Sequence, residues 1–328
     1  MRFFAALRMT IEVSADRTKL EKGMEKIHQP CYTIINVKEI KDVKQMNLTD
    51  ETQLRALLKR HGFRFDRHKG QNFLIADWVP VQIAETAELE DESLVLEIGP
   101  GIGTLTQELC KRAGRVVAVE LDKNLPPILD ETLAAFQNVS ILSGDFLKLD
   151  LAEALAPMGG KKAVLCANLP YNITTPILTR SIESGLFSKL TVMMQREVAL
   201  RICAAPGTAD YGAFTLYCNY YTRPELQFEV PPDCFLPAPK VTSAVITMEL
   251  LEKPPVEVAD ERLLFSLIKA AFAQRRKTLV NALFAVFGDR YSKEALAALL
   301  AGLGLAADVR GERLSLEQFA QLANAMGR

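Results

Sequence analysis

The chain has no C-x-x-C pair, three histidines, a single tryptophan and no apolar run long enough to span a bilayer. Each shortage removes a class of protein. Cys31, Cys110, Cys166, Cys203, Cys218 and Cys234 stand apart from one another and from His28, His61 and His68, so the spacing carries no zinc signature and no metal is expected. Cys110, Cys166 and Cys218 lie in apolar runs, where cysteine serves as a small hydrophobe, and a reducing, cytoplasmic compartment is expected. The opening Met1-Arg-Phe-Phe-Ala-Ala-Leu-Arg8 is too short an apolar stretch for a secretory leader. Charge of one sign is lacking too: 39 Lys and Arg face 40 Asp and Glu, so the whole-chain balance points to no polyanionic partner.

What is present is globular. Hydrophobic residues make up 49% of the chain and charged ones 24%, with 18 Gly and 16 Pro, a composition that excludes disordered, collagenous and low-complexity proteins. A chain of 328 residues exceeds what one core usually fills, and two domains are expected.

Residues 1–45 hold nine Lys/Arg and six Asp/Glu with weak periodicity and precede a second methionine, Met46. They read either as a separable, disordered arm or as an upstream start running into the true coding region, and the second reading is favoured. From Thr49, placed as N-cap with Thr52 in the capping-box position, Leu54, Leu57 and Leu58 share one helical face. Short β-branched runs then recur at 93–99, 114–120, 139–143, 163–167 and 190–194, separated by helix-length segments near 104–112, 123–136, 176–185 and 196–204. Such alternation predicts βαβ units and a parallel sheet covered on both faces, with strand-like stretches at 214–229 and 243–250 closing it as an antiparallel pair. Glu252-Lys-Pro-Pro-Val256 reads as a hinge, after which Leu263, Leu264, Leu267, Ile268, Ala271 and Phe272 recur at helical spacing, and Ser315-Leu-Glu-Gln318 is a capping box. The expected organisation is therefore an arm (1–45), an α/β domain (46–252) and a small all-helical domain (253–328).

Polar signals gather at the ends of the predicted strands. Glu97-Ile-Gly-Pro-Gly-Ile-Gly103 follows one strand and opens a helix, as a backbone cradle for a ligand does. A dinucleotide fingerprint would need a glycine at 104 or 106, where threonine stands, so the loop favours a nucleoside ligand without a pyrophosphate. Glu120 ends the next strand, where a carboxylate accepts bonds from ribose hydroxyls, and Asp145 ends the third, within reach of an exocyclic adenine amine. The fourth strand ends in Asn168-Leu-Pro-Tyr171. Asparagine supplies a neutral acceptor, proline stops the backbone from pairing further, and tyrosine offers an aromatic face. For a flipped or unpaired base, the Asn168 side-chain oxygen and the Leu169 carbonyl would accept from its NH₂ group while Tyr171 stacks on the ring. Taken alone, each of these also fits a plain turn or a solvated carboxylate.

From Met46 onward the chain closely resembles the ribosomal RNA adenine dimethyltransferases, specifically their bacterial small-subunit branch. The resemblance rests on Gly70-Gln-Asn-Phe-Leu74, Glu97-Ile-Gly-Pro-Gly-Ile-Gly103, Val119-Glu-Leu-Asp122, Gly144-Asp-Phe146, Asn168-Leu-Pro-Tyr-Asn-Ile173, Met194-Gln-Arg-Glu-Val-Ala199, Phe235-Leu-Pro-Ala-Pro-Lys-Val-Thr-Ser243 and Phe272-Ala-Gln-Arg-Arg-Lys-Thr-Leu279, in order. Phe214-Thr215-Leu216 departs from the pattern of many relatives, which have a smaller aliphatic and a serine there. The resemblance implies a Rossmann-like class I methyltransferase sheet with a small helical C-terminal domain, S-adenosylmethionine as cofactor, and dimethylation at N6 of two adjacent adenosines in the 3′-terminal hairpin loop of small-subunit rRNA. Carried over, Asn72 and Leu74 contact the methionine end of the cofactor, Gly99 and Gly101 pass beneath it, Glu120 holds the ribose and Asp145 the adenine amine. Asn168, Leu169, Tyr171 and Phe235 hold the target adenine, with Asn168 also bordering the cofactor. A cytoplasmic monomer working on rRNA within an immature 30S particle is expected. Alternatives kept open are the large-subunit enzymes of the macrolide-resistance type, a mainly non-catalytic assembly factor, and a nicotinamide oxidoreductase that lacks its third glycine.

The balanced charge is unevenly spread. Residues 55–69 carry six Lys/Arg against Asp66, and Arg275-Arg-Lys277 adds a second cluster. Arg64, Arg67, Lys69, Arg275, Arg276 and Lys277 are the expected RNA contacts.

Overall fold

The computed structural model describes residues 33–36, 45–65, 71–156 and 161–327. They fall into two compact units, one running to Met194 and taking in Val230–Lys240, the other made of Gln195–Glu229 and Val241–Arg328. The second unit therefore joins the helical tail to chain on the N-terminal side of the Pro-rich stretch at 252–256.

In the first unit the β-branched runs form strands β3 (Leu94–Ile98), β4 (Arg115–Glu120), β5 (Val139–Ser143), β6 (Ala163–Asn168) and β7 (Phe187–Gln195). β4 pairs with β3 and β5, and β6 with β3 and β7, every pairing parallel. Both faces are buried, which is why these segments read as continuous apolar runs without alternation. Adjacent strands run β5-β4-β3-β6-β7. The chain thus moves outward from β3 through β4 and β5, then returns to the other side of β3 as β6. Such a reversal opens a crevice at the C-terminal ends of the strands, and in open α/β sheets ligands bind there.

The arm at 1–45 contributes to this sheet: β1 (Thr33–Asn36) lies antiparallel along β5, Thr33 opposite Ser143. No periodicity announced this strand. The remaining residues from 1 to 44 lie outside the described residues. Helix α1 (Glu51–Arg60) begins one residue later than expected, because Asp50 is the cap: its Oδ1 accepts from the backbone N–H groups of Thr52 and Gln53 at 2.9 and 3.0 Å. The layers are completed by α2 (Trp78–Thr86), α3 (Thr104–Cys110), α4 (Pro126–Thr132), α5 (Leu151–Leu155) and α6 (Thr174–Ser184). Prolines at the first two positions of α4 cost no intrahelical bond.

In the second unit the expected strand at 214–229 is only half strand. After α7 (Arg196–Ile202), residues Ala213–Tyr221 are helical (α8), and β8 (Thr222–Val230) follows, with β10 (Ser243–Leu250) as its hydrogen-bonded neighbour. Thr215 favours a helix over the first half of that stretch. Its hydroxyl accepts from the Gly212 N–H at 3.0 Å and donates to the Arg201 carbonyl at 2.6 Å, capping a helix whose Tyr217, Tyr220 and Tyr221 pack on Phe265. The departure at Phe214-Thr215-Leu216 thus supplies the third helical residue of a capping box begun at Gly212. The tail forms α9 (Glu261–Ala273), α10 (Leu279–Phe287), α11 (Lys293–Gly302) and α12 (Leu316–Met326) around Leu264, Leu267, Leu283, Leu300 and Phe319. The predicted capping box is made at Ser315 and Gln318.

Candidate active site

The crevice holds a cavity of about 330 Å³ whose walls are the loops after β3, β4, β5 and β6 and the chain at 71–74. The first wall is the glycine loop. Gly101 has φ +61°, a left-handed conformation, and a Cβ built there would lie 3.2 Å from the Phe73 ring. Gly103 has φ +92° and caps α3, its would-be Cβ 3.1 Å from Leu133 and Thr132. Backbone therefore comes to the cavity at Gly101, as a cradle requires.

Glu120 ends β4 with 5% exposure and lines the cavity. Its Oε1 accepts from the Asp122 N–H at 2.7 Å, and the N–H groups of Gly101 and Leu121 also bond its carboxylate. Burial outweighs these bonds and pushes its pKa up to about 7. Asp145, after β5, receives the Leu147 N–H at 2.9 Å and has Lys148 at 3.6 Å. Its loop is held from α6: Arg180 donates to the carbonyls of Leu147 and Leu149, with its guanidinium carbon 5.8 Å from the Phe146 ring centroid. At β6, the Leu169 N–H donates to the Met193 carbonyl at 2.9 Å, while the Thr174 hydroxyl donates to the Pro170 carbonyl at 3.1 Å. These bonds fix the Asn168–Tyr171 turn, whose four residues all line the cavity.

The remaining wall comes from a two-stranded ribbon in which β2 (Phe73–Leu74) pairs antiparallel with β9 (Phe235–Leu236), Leu74 opposite Phe235. Asn72 and Leu74 line the cavity; Phe235, 2% exposed, does not. One cavity thus brings together Asn72, Leu74, Gly99, Gly101, Glu120, Asp145, Asn168, Leu169 and Tyr171, leaving out Phe235 alone among the expected small-ligand contacts.

Two acids were assigned no ligand contact in the sequence reading, although Glu97 was part of the loop motif that favoured a nucleoside. Asp122 is 4% exposed, lines the cavity and accepts from the Gln71 side chain at 2.7 Å. Glu97 is 1% exposed, also lines the cavity, and its Oε2 has no hydrogen-bond partner among the described residues. Burial drives its pKa to about 8, with the Thr106 hydroxyl drawing it down and Glu120 pushing it further up. Both acids belong to motifs visible in the sequence, but their burial was not.

Of the expected RNA contacts, Arg64 is exposed, and Arg67 and Lys69 lie outside the described residues. Nearby Arg55 and Arg60 are engaged by Glu51 and Glu131. Arg276 and Lys277 are exposed, whereas Arg275 donates to the carbonyls of Ala209 and Tyr211 at 2.9 and 3.2 Å and pairs with Glu312 at 3.3 Å.

A family model described as ribosomal RNA adenine dimethylase matches residues 62–327. The chain belongs to that family. Among curated relatives, the ribosomal RNA small subunit methyltransferase A of Lachnoclostridium phytofermentans is 48% identical over 280 residues, covering 84% of this chain and 97% of that protein. The Streptococcus sanguinis protein of the same name is 47% identical over 285 residues, covering 86% and 98%. Among solved structures, the 23S rRNA methyltransferase ErmE aligns with a TM-score of 0.63 at 27% identity, over 78% of this chain and 100% of that one. A Plasmodium falciparum dimethyladenosine transferase aligns with a TM-score of 0.62 at 22% identity, over 76% and 95%, a likeness of fold. The dimethylase family assignment carries a coarse activity: this is an S-adenosylmethionine-dependent rRNA adenine N6-methyltransferase with a class I sheet and a helical C-terminal region. No helix among the described residues is long and apolar enough to cross a membrane.

Proposed function

We propose that this dimethylase transfers methyl groups to N6 of two adjacent adenosines in the 3′-terminal hairpin loop of small-subunit rRNA, converting each to dimethyladenosine, and acts as a cytoplasmic monomer on immature 30S particles. The observation that carries the reading is the one cavity at the sheet's reversal, walled by a glycine cradle, a carboxylate at each of two strand ends and the Asn168–Tyr171 turn. Near-full-length identity to two proteins named as small-subunit methyltransferases supports the choice of subunit.

The residues fit the cofactor: Gly99, with φ +67° and nothing within 4 Å of where a Cβ would stand, leaves room beside the loop, and buried carboxylates are suited to hydroxyl and amine donors. Asn72, Leu74, Gly99, Gly101, Glu120 and Asp145 would hold it, with Asn168 at its border. When bound, it supplies a methyl group already activated on a sulfonium. What the chain must do is position. An adenine amine is a weak nucleophile because its lone pair is delocalised into the ring. Accepting its hydrogens at the Asn168 side-chain oxygen and the Leu169 carbonyl favours a pyramidal nitrogen with the lone pair directed outward, while Tyr171 holds the ring. Phe235, buried and opposite Leu74 across the ribbon, would act through that pairing. The second transfer proceeds with one N–H bond fewer, and no strong general base is required.

The test is incubation with labelled S-adenosylmethionine and undermethylated 30S particles, 50S particles or naked rRNA, followed by mapping of the modified nucleotide. Label at two adjacent adenosines of the 30S hairpin is expected; label confined to 50S particles would transfer the protein to the large-subunit class. Residues 46–252 are assigned to catalysis and 253–328 to RNA binding, with Arg64, Arg67, Lys69, Arg276 and Lys277 as backbone contacts. Arg275, from the same expected set, also ties the 209–211 segment. Reversing Arg276 and Lys277 while leaving Arg275 intact is expected to weaken RNA binding and lower the slope of log K against log salt by about 2, roughly one for each phosphate no longer neutralised. An unchanged slope would identify them as a solvated surface.

A further inference from the structure

Among the described residues, the cavity is lined by four carboxylic acids, Glu97, Glu120, Asp122 and Asp145, and by no Lys, Arg or His. Glu97 sits deepest, with one carboxyl oxygen that none of them satisfies. A buried, half-satisfied carboxyl is costly to keep as an anion unless a cation is near. Facing it are Glu120 from β4, the Thr106 hydroxyl and Cys110 thiol from α3, and the Cys166 thiol from β6. Burial pushes both thiols up, so neither adds charge. No cation acts on Glu97 among the described residues: Lys189 is paired with Glu88 at 2.5 Å, and Lys148, largely exposed, lies at the cavity's rim beside Asp145. A positive charge at this depth is one that a ligand can bring in.

We propose that Glu97 is the residue by which this cavity distinguishes the charged methyl donor from its neutral product: the carboxyl releases its proton to solvent when a sulfonium ligand enters and recovers one when the thioether remains. This rests on the donor-site reading above. S-adenosylmethionine and S-adenosylhomocysteine share every hydrogen-bonding group and differ by one methyl and one positive charge. A protein that turns over must hold the first and let go of the second. Packing alone discriminates weakly at one methyl, whereas one unit charge beside two buried carboxylates is a strong signal. The proton balance closes: ligand entry releases one carboxyl proton against one sulfonium charge, loss of that charge at methyl transfer lets the carboxyl take one proton back, and departure of the neutral thioether moves none. The raised pKa values of Glu97 and Glu120, about 8 and about 7, set the range over which it operates.

The experiment is titration calorimetry of the full chain with S-adenosylmethionine and, separately, with S-adenosylhomocysteine, at pH 7.5 in two buffers of unlike ionisation enthalpy, repeated from pH 6.5 to 8.5. Release of roughly half a proton or more is expected with the donor and close to none with the product. Donor affinity should rise about 25-fold across the range, the ratio of ionised fractions for a carboxyl titrating near 8, while product affinity stays level. In Glu97→Gln the proton release should shrink, the donor's pH slope should flatten, and the donor-to-product affinity ratio should fall. Equal proton release by the two ligands, or an unchanged slope in Glu97→Gln, would overturn the proposal. Binding of neither ligand at any pH would instead refute the donor-site reading. Thermal melting of the ligand-free protein gives a second readout. The native carboxyl keeps its proton up to about pH 8, whereas an unfolded glutamate ionises above about 4.3. Wild-type stability should therefore decline between those values, and Glu97→Gln should decline less.

Discussion

Asn168→Ala is expected to lower methyl transfer at least about a hundredfold while leaving binding to immature small subunits within about twofold of wild type. The side chain stands at the end of β6 on the cavity wall, in a turn fixed independently by Leu169 to Met193 and Thr174 to Pro170. Its loss therefore removes an acceptor without releasing the backbone. The basic contacts proposed for RNA lie on other segments, so recognition and chemistry should separate. Transfer would be followed with tritiated donor and binding by co-sedimentation with undermethylated particles, with circular dichroism confirming the fold. If a folded Asn168→Ala protein lost both, binding would depend on the same turn and the proposed division of labour would be wrong.

Gly101→Val should reduce donor affinity by at least about tenfold with the secondary structure retained. A β-branched residue at φ +61° is strained by roughly 1–2 kcal/mol from backbone alone. Its Cβ must also press on the Phe73 ring from 3.2 Å, disturbing the ribbon that carries Leu74. The same shift threatens the Gly101 N–H bond to Glu120. Three cavity walls are thus altered by one substitution. Equilibrium dialysis against labelled donor measures the effect, and wild-type affinity in Gly101→Val would show that the loop does not cradle the ligand.

Much of the α/β unit was legible because a buried parallel strand is a short apolar run, often bounded by glycine, and β5 was placed to the residue, as was β10 in the second unit. The site was legible for a related reason: strand ends in a doubly wound sheet converge, so polar residues spaced along the sequence at those ends share one crevice. Phe235 escaped that logic, since it reaches the region through a ribbon pairing that no local pattern announces. Helix α8 was misread because tyrosine and phenylalanine favour strands unless a cap and a helical neighbour intervene, and Thr215 stands at the third helical position, where glutamate or glutamine is the usual capping-box residue. Burial of Glu97 was hidden because a carboxylate near the end of a strand ordinarily faces water. Arg275 looked like its neighbours until its carbonyl partners at 209 and 211 were known.

The guanidinium of Arg180, reaching from α6 to two carbonyls behind Asp145, gives the cavity a wall already set before any ligand arrives. A loop fixed from its far side surrenders its freedom during folding, so a molecule entering the crevice meets a finished mould and loses little of its binding energy to ordering the host. Selectivity at that wall then resides in shape held by the scaffold, and drift in residues that never touch the ligand would blur it as surely as a change in Asp145 itself.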